Sequence, residues 1–157
     1  MTGPAERDTI RSIPAEIAHV GVLAALHADC FDPPWSAHTF GDLVTAPGAV
    51  ARIALSGSQP IGLVIGRVTL EEAEILTICV VPAGRRLGAA EHMMRDALGD
   101  FDSAGARVAF LEVAYSNKAA RALYHRLGFI AVGQRPRYYT HPDGTQETAL
   151  ILRLDLR

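Results

Sequence analysis

Ile75-Leu76-Thr77-Ile78-Cys79-Val80-Val81-Pro82-Ala83-Gly84-Arg85-Arg86-Leu87-Gly88-Ala89-Ala90 joins an apolar run to a segment that nearly lacks side chains. The run Ile75 to Val81 is β-branched enough for a buried strand, and Pro82 stops the pairing because it has no N–H to give. Helical spacing resumes at Gly88. The small residues Gly88, Ala89 and Ala90 leave the first-turn N–H groups uncovered, and the positive end of the helix dipole adds attraction for an anion such as phosphate. A glycine kept only for turn geometry fits the same residues, so the junction needs support from elsewhere in the chain.

Upstream, Ile13 to Phe31 carries apolar residues at helical spacing, with Ile17, Val20, Leu23, Ala24 and His27 on one side and Pro14 suited to a helix start. Pro33 and Pro34 end that helix, and Ser36 can cap a short one through Thr39, Phe40 and Leu43. After the turn Ala46-Pro47-Gly48, Val50 to Leu55 and Ile61 to Val68 read as an antiparallel hairpin, and Glu74 to Val81 as the third strand of the meander. Downstream, a helix from Gly88 ends between Asp100 and Gly105, and Arg107 to Val113 is a strand parallel to the third. Ser116 or Asn117 caps a further helix that Gly128 closes. Phe129 to Gly133, extendable to Tyr138, and Thr148 to Leu154 finish as strands around His141-Pro142-Asp143-Gly144. The fold class expected is α/β (α+β): a mixed, mostly antiparallel sheet in a single domain spanning residues 1–157.

The 157 residues suit one domain with a sizeable core, and 49% hydrophobic with 20% charged residues is ordinary for a globular chain. A net charge of -2 argues against a broad nucleic-acid surface, so any anion site is local, although Arg135, Arg137 and Arg153 could form a small basic cluster. Glu6, Arg7, Asp8 and Arg11 stand where a secretion signal needs an apolar core, and no run approaches membrane-spanning length. A cytoplasmic protein is expected, with no membrane partner. Cys30 and Cys79 are the two cysteines, Cys79 within the apolar strand, and no disulfide is expected. The six histidines show no metal-ligand spacing, so no metal is expected.

Val81, Pro82, Arg85, Gly88 and Ala90 resemble the acyl-coenzyme A pyrophosphate loop of the GNAT superfamily of N-acetyltransferases: Gln or Arg, two residues, Gly, one residue, then Gly or Ala. The block Leu111, Glu112, Val113, Ser116, Asn117, Ala119, Ala120, Leu123, Tyr124, Gly128, Phe129 resembles the later motif of the same superfamily. Phe31, Pro34, Trp35, Ser36, Thr39 and Phe40 near the start, with Arg137, Tyr138, Tyr139, Asp143 and Gly144 near the end, are similar to the ribosomal-protein-alanine N-acetyltransferases. Two departures stand out: Gly84 where family members often carry a bulky residue, and Pro136 between Arg135 and Arg137.

The resemblance implies a GNAT-type sheet of six to seven strands flanked by about four helices. It also implies acetyl-CoA as cofactor, CoA as product, and a ribosomal protein N-terminus with a terminal alanine as acceptor. The enzyme would be a monomer using direct attack in a ternary complex. Cofactor contacts would come from Ile78, Val80, Val81, Arg85, Arg86, Leu87, Gly88, Ala89, Ala90, Asn117 and Tyr124. The Val80 and Val81 backbone would supply the oxyanion donors, and Asn117 would bond the pantetheine arm. Trp35, Glu74, Tyr138 and Tyr139 would line the acceptor site, although aromatic packing is the default for the three aromatics. Acetylation of a small amine, and a non-catalytic acyl-CoA-binding module, are the alternatives.

The acceptor chemistry asks for a base, since an α-amine has a pKa of about 7.7 to 8.0 and is mostly protonated at neutral pH. Glu112 follows Val108-Ala109-Phe110-Leu111, so its carboxylate is expected at the end of a buried strand, where partial desolvation makes it more basic. A structural carboxylate bonded to backbone or to an arginine fits that spacing equally; the resemblance favours the base, with Glu74 as second candidate. Tyr124 stands seven residues after Asn117, close to two helical turns, and by resemblance protonates the leaving sulfur. Packing at the core edge is its alternative.

Overall fold

The computed structural model describes residues 9–156; Glu6, Arg7 and Asp8, and with them part of the expectation about the N-terminus, lie outside the described residues. Seven strands form one sheet in the order β1-β2-β3-β4-β5-β7-β6: β1 (Ile10–Pro14), β2 (Ala49–Ser56), β3 (Gln59–Thr69), β4 (Glu72–Val80), β5 (Val108–Ala114), β6 (Ile130–Thr140) and β7 (Gln146–Asp155). Every pairing is antiparallel except β4 with β5. Four α-helices accompany them among the described residues: α1 (Val20–Ala28), α2 (Ala37–Thr45), α3 (Ala89–Ser103) and α4 (Lys118–Leu127).

The first expected helix is half wrong. Ile10 to Pro14 is an edge strand in register with Ser56 to Arg52, and Pro14 ends it rather than opening a helix. The helix proper starts only at Val20, after a single 3-10 turn at Ile17–His19. Pairing with β2 claims only Ile13 and Pro14 of the expected helix, while Val20, Leu23, Ala24 and His27 of its apolar face do lie in α1.

The other elements follow their local signals. The Ser36 hydroxyl accepts the Thr39 N–H at 3.2 Å and starts α2. Asn117, not Ser116, caps α4, and Gly128 ends it in the left-handed conformation at φ 98°.

Alternation divides the sheet's side chains between two cores. Ile53, Leu55, Leu63, Ile65 and Cys79 pack with Leu23, Leu26 and Phe40 beneath α1 and α2. Ala54, Val64, Ala73, Ile75, Leu111, Val113, Leu150 and Leu152 pack on the opposite face with Met93, Met94, Phe101, Leu123 and Tyr124 from α3 and α4. Arg52 fixes α3 across the sheet edge, its Nε and Nη2 gripping Asp100 at 2.6 and 3.1 Å.

Strand β4 breaks the alternation, and this positions the site. The β3–β4 register shifts so that Ile65 faces Thr77 while Gly66 faces Ile75, leaving Leu76 as a bulge. Before the bulge, odd-numbered Ala73 and Ile75 face α3; after it, even-numbered Ile78 and Val80 do. The parallel pairing with β5 covers only Glu72, Ala73 and Glu74 against Val108, Ala109 and Phe110. From there β4 stays with β3 and β5 stays with β7, so a gap opens in the middle of the sheet.

Candidate active site

The β4–α3 junction is built almost entirely from backbone. A 3-10 turn at Pro82–Gly84 follows β4, Arg86 takes a left-handed φ of 65°, and Gly88 caps α3 at φ 78°. Open space surrounds the position of a Gly88 Cβ, so the conformation, rather than crowding, calls for glycine here. Gly84 is glycine for the other reason: a Cβ there would stand 2.8 Å from Ile61 Cβ, which explains the absence of the bulky residue common at this place.

Among the described residues the N–H groups of Arg86 through Glu91 have no hydrogen-bond acceptor, the first helical bond being His92 N–H to Gly88. Successive free N–H groups with two left-handed residues at a helix N-terminus form a cradle for phosphate oxygens. Glu91 would oppose such an anion, but it pairs with Arg95 at 3.3 Å and Arg126 at 3.9 Å. Arg85 turns back, its Nε donating to the Val80 carbonyl at 3.2 Å.

The gap continues the cradle into the sheet. Val81 N–H donates to Ile61 carbonyl at 2.8 Å, which makes Val80 opposite Gly62 a pair without mutual hydrogen bonds. Ile78 and Val80 therefore direct their peptide groups away from β3, toward the gap. Val81 does not fit the expected donor region: its N–H is already engaged by β3.

Glu112 lies between Leu111 and Val113, whose side chains enter the α3–α4 core, so it points to the opposite face, as do Glu74 and Ile151. There a cleft of about 310 Å³ is lined by Arg67, Thr69, Glu72, Glu74, Glu112 and Arg135 among others. Glu112 is the fifth of the seven β5 residues, close to the strand end as expected, with its side chain largely shielded from solvent and Ala73, Phe110 and Ile151 among the residues lining the cleft it faces. Arg135 Nε meets its Oε1 at 2.9 Å, and Glu74 has a looser partner, Arg67, at 4.0 Å.

Tyr124 sits on the other face, in the core cluster that holds Leu111 and Val113 and against which Ile78 and Val80 pack. Its ring meets Phe129 edge-on at 5.9 Å, and burial pushes its hydroxyl up to about 12, with a smaller contribution from Tyr139. Tyr139 is raised by burial and then by Glu112, which puts these groups within electrostatic reach of one another. Tyr124 and Glu112 thus stand on opposite faces of the sheet, with Tyr139 within electrostatic reach of each. Asn117 has its side-chain oxygen engaged with Ala120 N–H at 3.2 Å, leaving only its amide N–H groups for any other partner.

Strand β6 bulges where Pro136 interrupts the arginines. Arg135 pairs with Ala149 and Tyr139 with Glu147, so Pro136, Arg137 and Tyr138 oppose Thr148 alone; Arg137 is left-handed at φ 57°. The bulge stacks Arg135 over the Tyr138 ring at 5.3 Å and sets Tyr138 edge-on to Tyr139 at 5.1 Å. Trp35 belongs to a separate aromatic group on the α1–α2 side: it stacks on buried His27 at 4.9 Å, and its N–H donates to His27 Nδ1 at 3.0 Å. Aromatic packing thus accounts for much of Trp35, and it is absent from the cleft lining. Arg67 and Thr69 escaped the sequence reading because a residue on a β3 edge carries no local mark of facing β4 and β5.

A cradle of free N–H groups at a helix N-terminus leading into a splayed strand pair, with a carboxylate-lined cleft on one face of the sheet and a buried tyrosine on the other, is an arrangement suited to acyl transfer. The acetyltransferase (GNAT) family matches residues 21–129, and the chain belongs to that family. It is therefore an acetyl-CoA-dependent N-acetyltransferase. It is 36% identical to the N-alpha-acetyltransferase RimI of Mycobacterium tuberculosis over 145 residues, covering 88% of this chain and 89% of the relative. It is 32% identical over 123 residues to the ribosomal protein bS18-alanine N-acetyltransferase of Escherichia coli K12, covering 78% and 82%. The crystal structure of the Escherichia coli ribosomal-protein-S18-alanine N-acetyltransferase superposes with a TM-score of 0.85 over 94% of each chain at 27% identity.

Proposed function

We propose that this chain, folded as one domain, acetylates the N-terminal α-amine of a protein, and that its acceptor is a ribosomal protein bS18 with a terminal alanine. The observation that carries this reading is the Glu112 carboxylate in an open, charged cleft beside the β4–β5 gap, where an extended peptide end has access. The names of the relatives supply the acceptor.

Acetyl-CoA supplies an activated acetyl group. The N–H groups of Arg86 to Glu91 hold its pyrophosphate, with Arg85 and Arg86 as neighbouring cations, and the Ile78 and Val80 peptides, with the Asn117 amide, hold the pantetheine arm. Val80 N–H, directed into the gap, is the donor for charge that develops on the acetyl oxygen. Glu112 takes the proton that the attacking amine must lose, with Glu74 close by. Tyr124 carries its own proton at neutral pH, since burial disfavours the phenolate, and gives it to the departing sulfur. Tyr138 and Tyr139 wall the acceptor entrance, and Trp35, just before α2, supports it from the α1–α2 side. Cys79 is buried and raised by desolvation, so direct attack by the amine suits this site better than a cysteine acyl-enzyme.

The reading includes a monomer in the cytoplasm; Cys30 and Cys79 are free thiols, as a reducing compartment allows. No helix of the described residues is long and apolar enough to cross a membrane. A panel of acceptors with acetyl-CoA tests the function: peptides starting with alanine, the same peptides N-terminally blocked, free lysine and small primary amines. Turnover confined to free peptide N-termini, strongest with a bS18-derived terminus, is expected. Preference for a small amine overturns the reading, and gel filtration checks the monomer.

A further inference from the structure

Three carboxylates, Glu72, Glu74 and Glu112, line the acceptor cleft, and the last two each have a guanidinium beside them. The pairs are unequal: Arg67 stands 4.0 Å from Glu74, whereas Arg135 makes a 2.9 Å contact with Glu112. Arg135 is also held from behind. Its guanidinium lies over Tyr138, and its strand is kinked by Pro136 and left-handed Arg137 just beyond it. Both Arg135 and Glu112 line the cleft, so an amine approaching Glu112 meets a carboxylate that already has a cation.

We infer that Arg135 is the resting counter-ion of Glu112, an affinity-setting residue that an acceptor ammonium must displace. This rests on the reading of Glu112 as the group that receives the amine. A carboxylate oxygen engaged by a charged N–H at 2.9 Å is unavailable to a second cation along the same direction, so the two compete. The Arg135 side chain is 55% exposed, so its release exposes no core and leaves the guanidinium in water and over Tyr138. Every acceptor that bonds this oxygen first displaces Arg135, so the pair sets how tightly the amine is held.

The test is steady-state kinetics with acetyl-CoA and a hexapeptide bearing a free alanine N-terminus. Arg135→Gln removes the competing cation, and the acceptor KM falls about two- to five-fold, the range of a partly exposed ion pair, with kcat within two-fold of the parent. Arg135→Lys keeps a cation and stays near the parent KM. Arg107→Gln, which removes an exposed arginine paired with Glu71 away from the cleft, controls for net charge and leaves KM unchanged. An unchanged or raised KM in Arg135→Gln, the same fall in Arg107→Gln, or a fall equally present in Arg135→Lys overturns the inference. Glu112→Gln separates the two claims: retained turnover in that variant defeats the role of Glu112, whereas the KM of Arg135→Gln judges the counter-ion alone.

Discussion

The proposed cofactor side and the proposed acceptor side of this enzyme are built from different materials. The cradle at Arg86 to Glu91 and the free peptide edge of β4 are backbone, and their side chains are chosen mainly to stay out of the way. The acceptor cleft is side chains: two carboxylate–guanidinium pairs and a bulged strand that lays Arg135 over Tyr138 and sets Tyr138 edge-on to Tyr139. A backbone site tolerates few residue types at fixed spacing, while a side-chain site can be assembled from distant strands in many ways. Binding of acetyl-CoA and choice of acceptor should therefore respond to separate substitutions.

The largest break in that comparison is expected from Glu112→Gln. Loss of the base lowers kcat by about 10²–10⁴-fold while the KM for acetyl-CoA stays within two-fold, measured as the initial rate of thiol release. Next, Tyr124→Phe keeps the ring against Phe129 and removes only the hydroxyl. A fall in kcat of about 10–100-fold is expected, with little change in Tm, because catalysis by a positioned acid is of this order. An unchanged kcat would return Tyr124 to a packing role.

Ala90→Asp attacks the other region. A carboxylate in the first turn of α3 repels pyrophosphate, raising the acetyl-CoA KM about ten-fold; it suits the helix dipole, which offsets part of the cost of placing a charge at a half-buried position, so Tm falls only slightly. Loss of acceptor affinity instead would break the division between the two sides.

The smallest effect is expected at the aromatic group under α1 and α2. Burial lowers the pKa of His27 from 6.5, so the folded protein keeps it neutral, with Nδ1 accepting Trp35 N–H. Since the unfolded chain takes up the proton first, stability is full above about pH 6.5 and declines as pH falls through the lowered folded value. Tm measured from pH 7.5 to 5 should decline less steeply in His27→Gln than in the parent. An equal slope would assign the decline to other groups.

Most of the fold could be read from local signals. The third strand, the glycine junction, the Ser36 cap and the Gly128 stop each depend on residues within one turn of one another, and each stands where expected. Strand β1 could not be read, because its evidence is the hydrogen-bonding edge of β2, some 40 residues away in the chain. The site divides the same way. Gly88, Ala89 and Ala90 announce an anion cradle by their smallness, but nothing near Glu112 announces Arg135, which arrives through β7 on the far side of β5.

By itself, the sequence determined the class of chemistry: a strand, a glycine turn and a helix whose free N–H groups suit phosphate, followed by Glu112, Asn117 and Tyr124 at family spacing. Only the tertiary structure decided which of those groups are free to act. Val81 N–H is taken by Ile61, the Asn117 side-chain oxygen by Ala120, the Val80 carbonyl by Arg85 and Glu112 by Arg135, while the bulge at Leu76 turns β4 and the gap beside it leaves the Ile78 peptide and the Val80 N–H open. Backbone conformation is governed by near neighbours and can be read along the chain, whereas the partner of a hydrogen bond or charge is whatever the fold brings within about 3 Å.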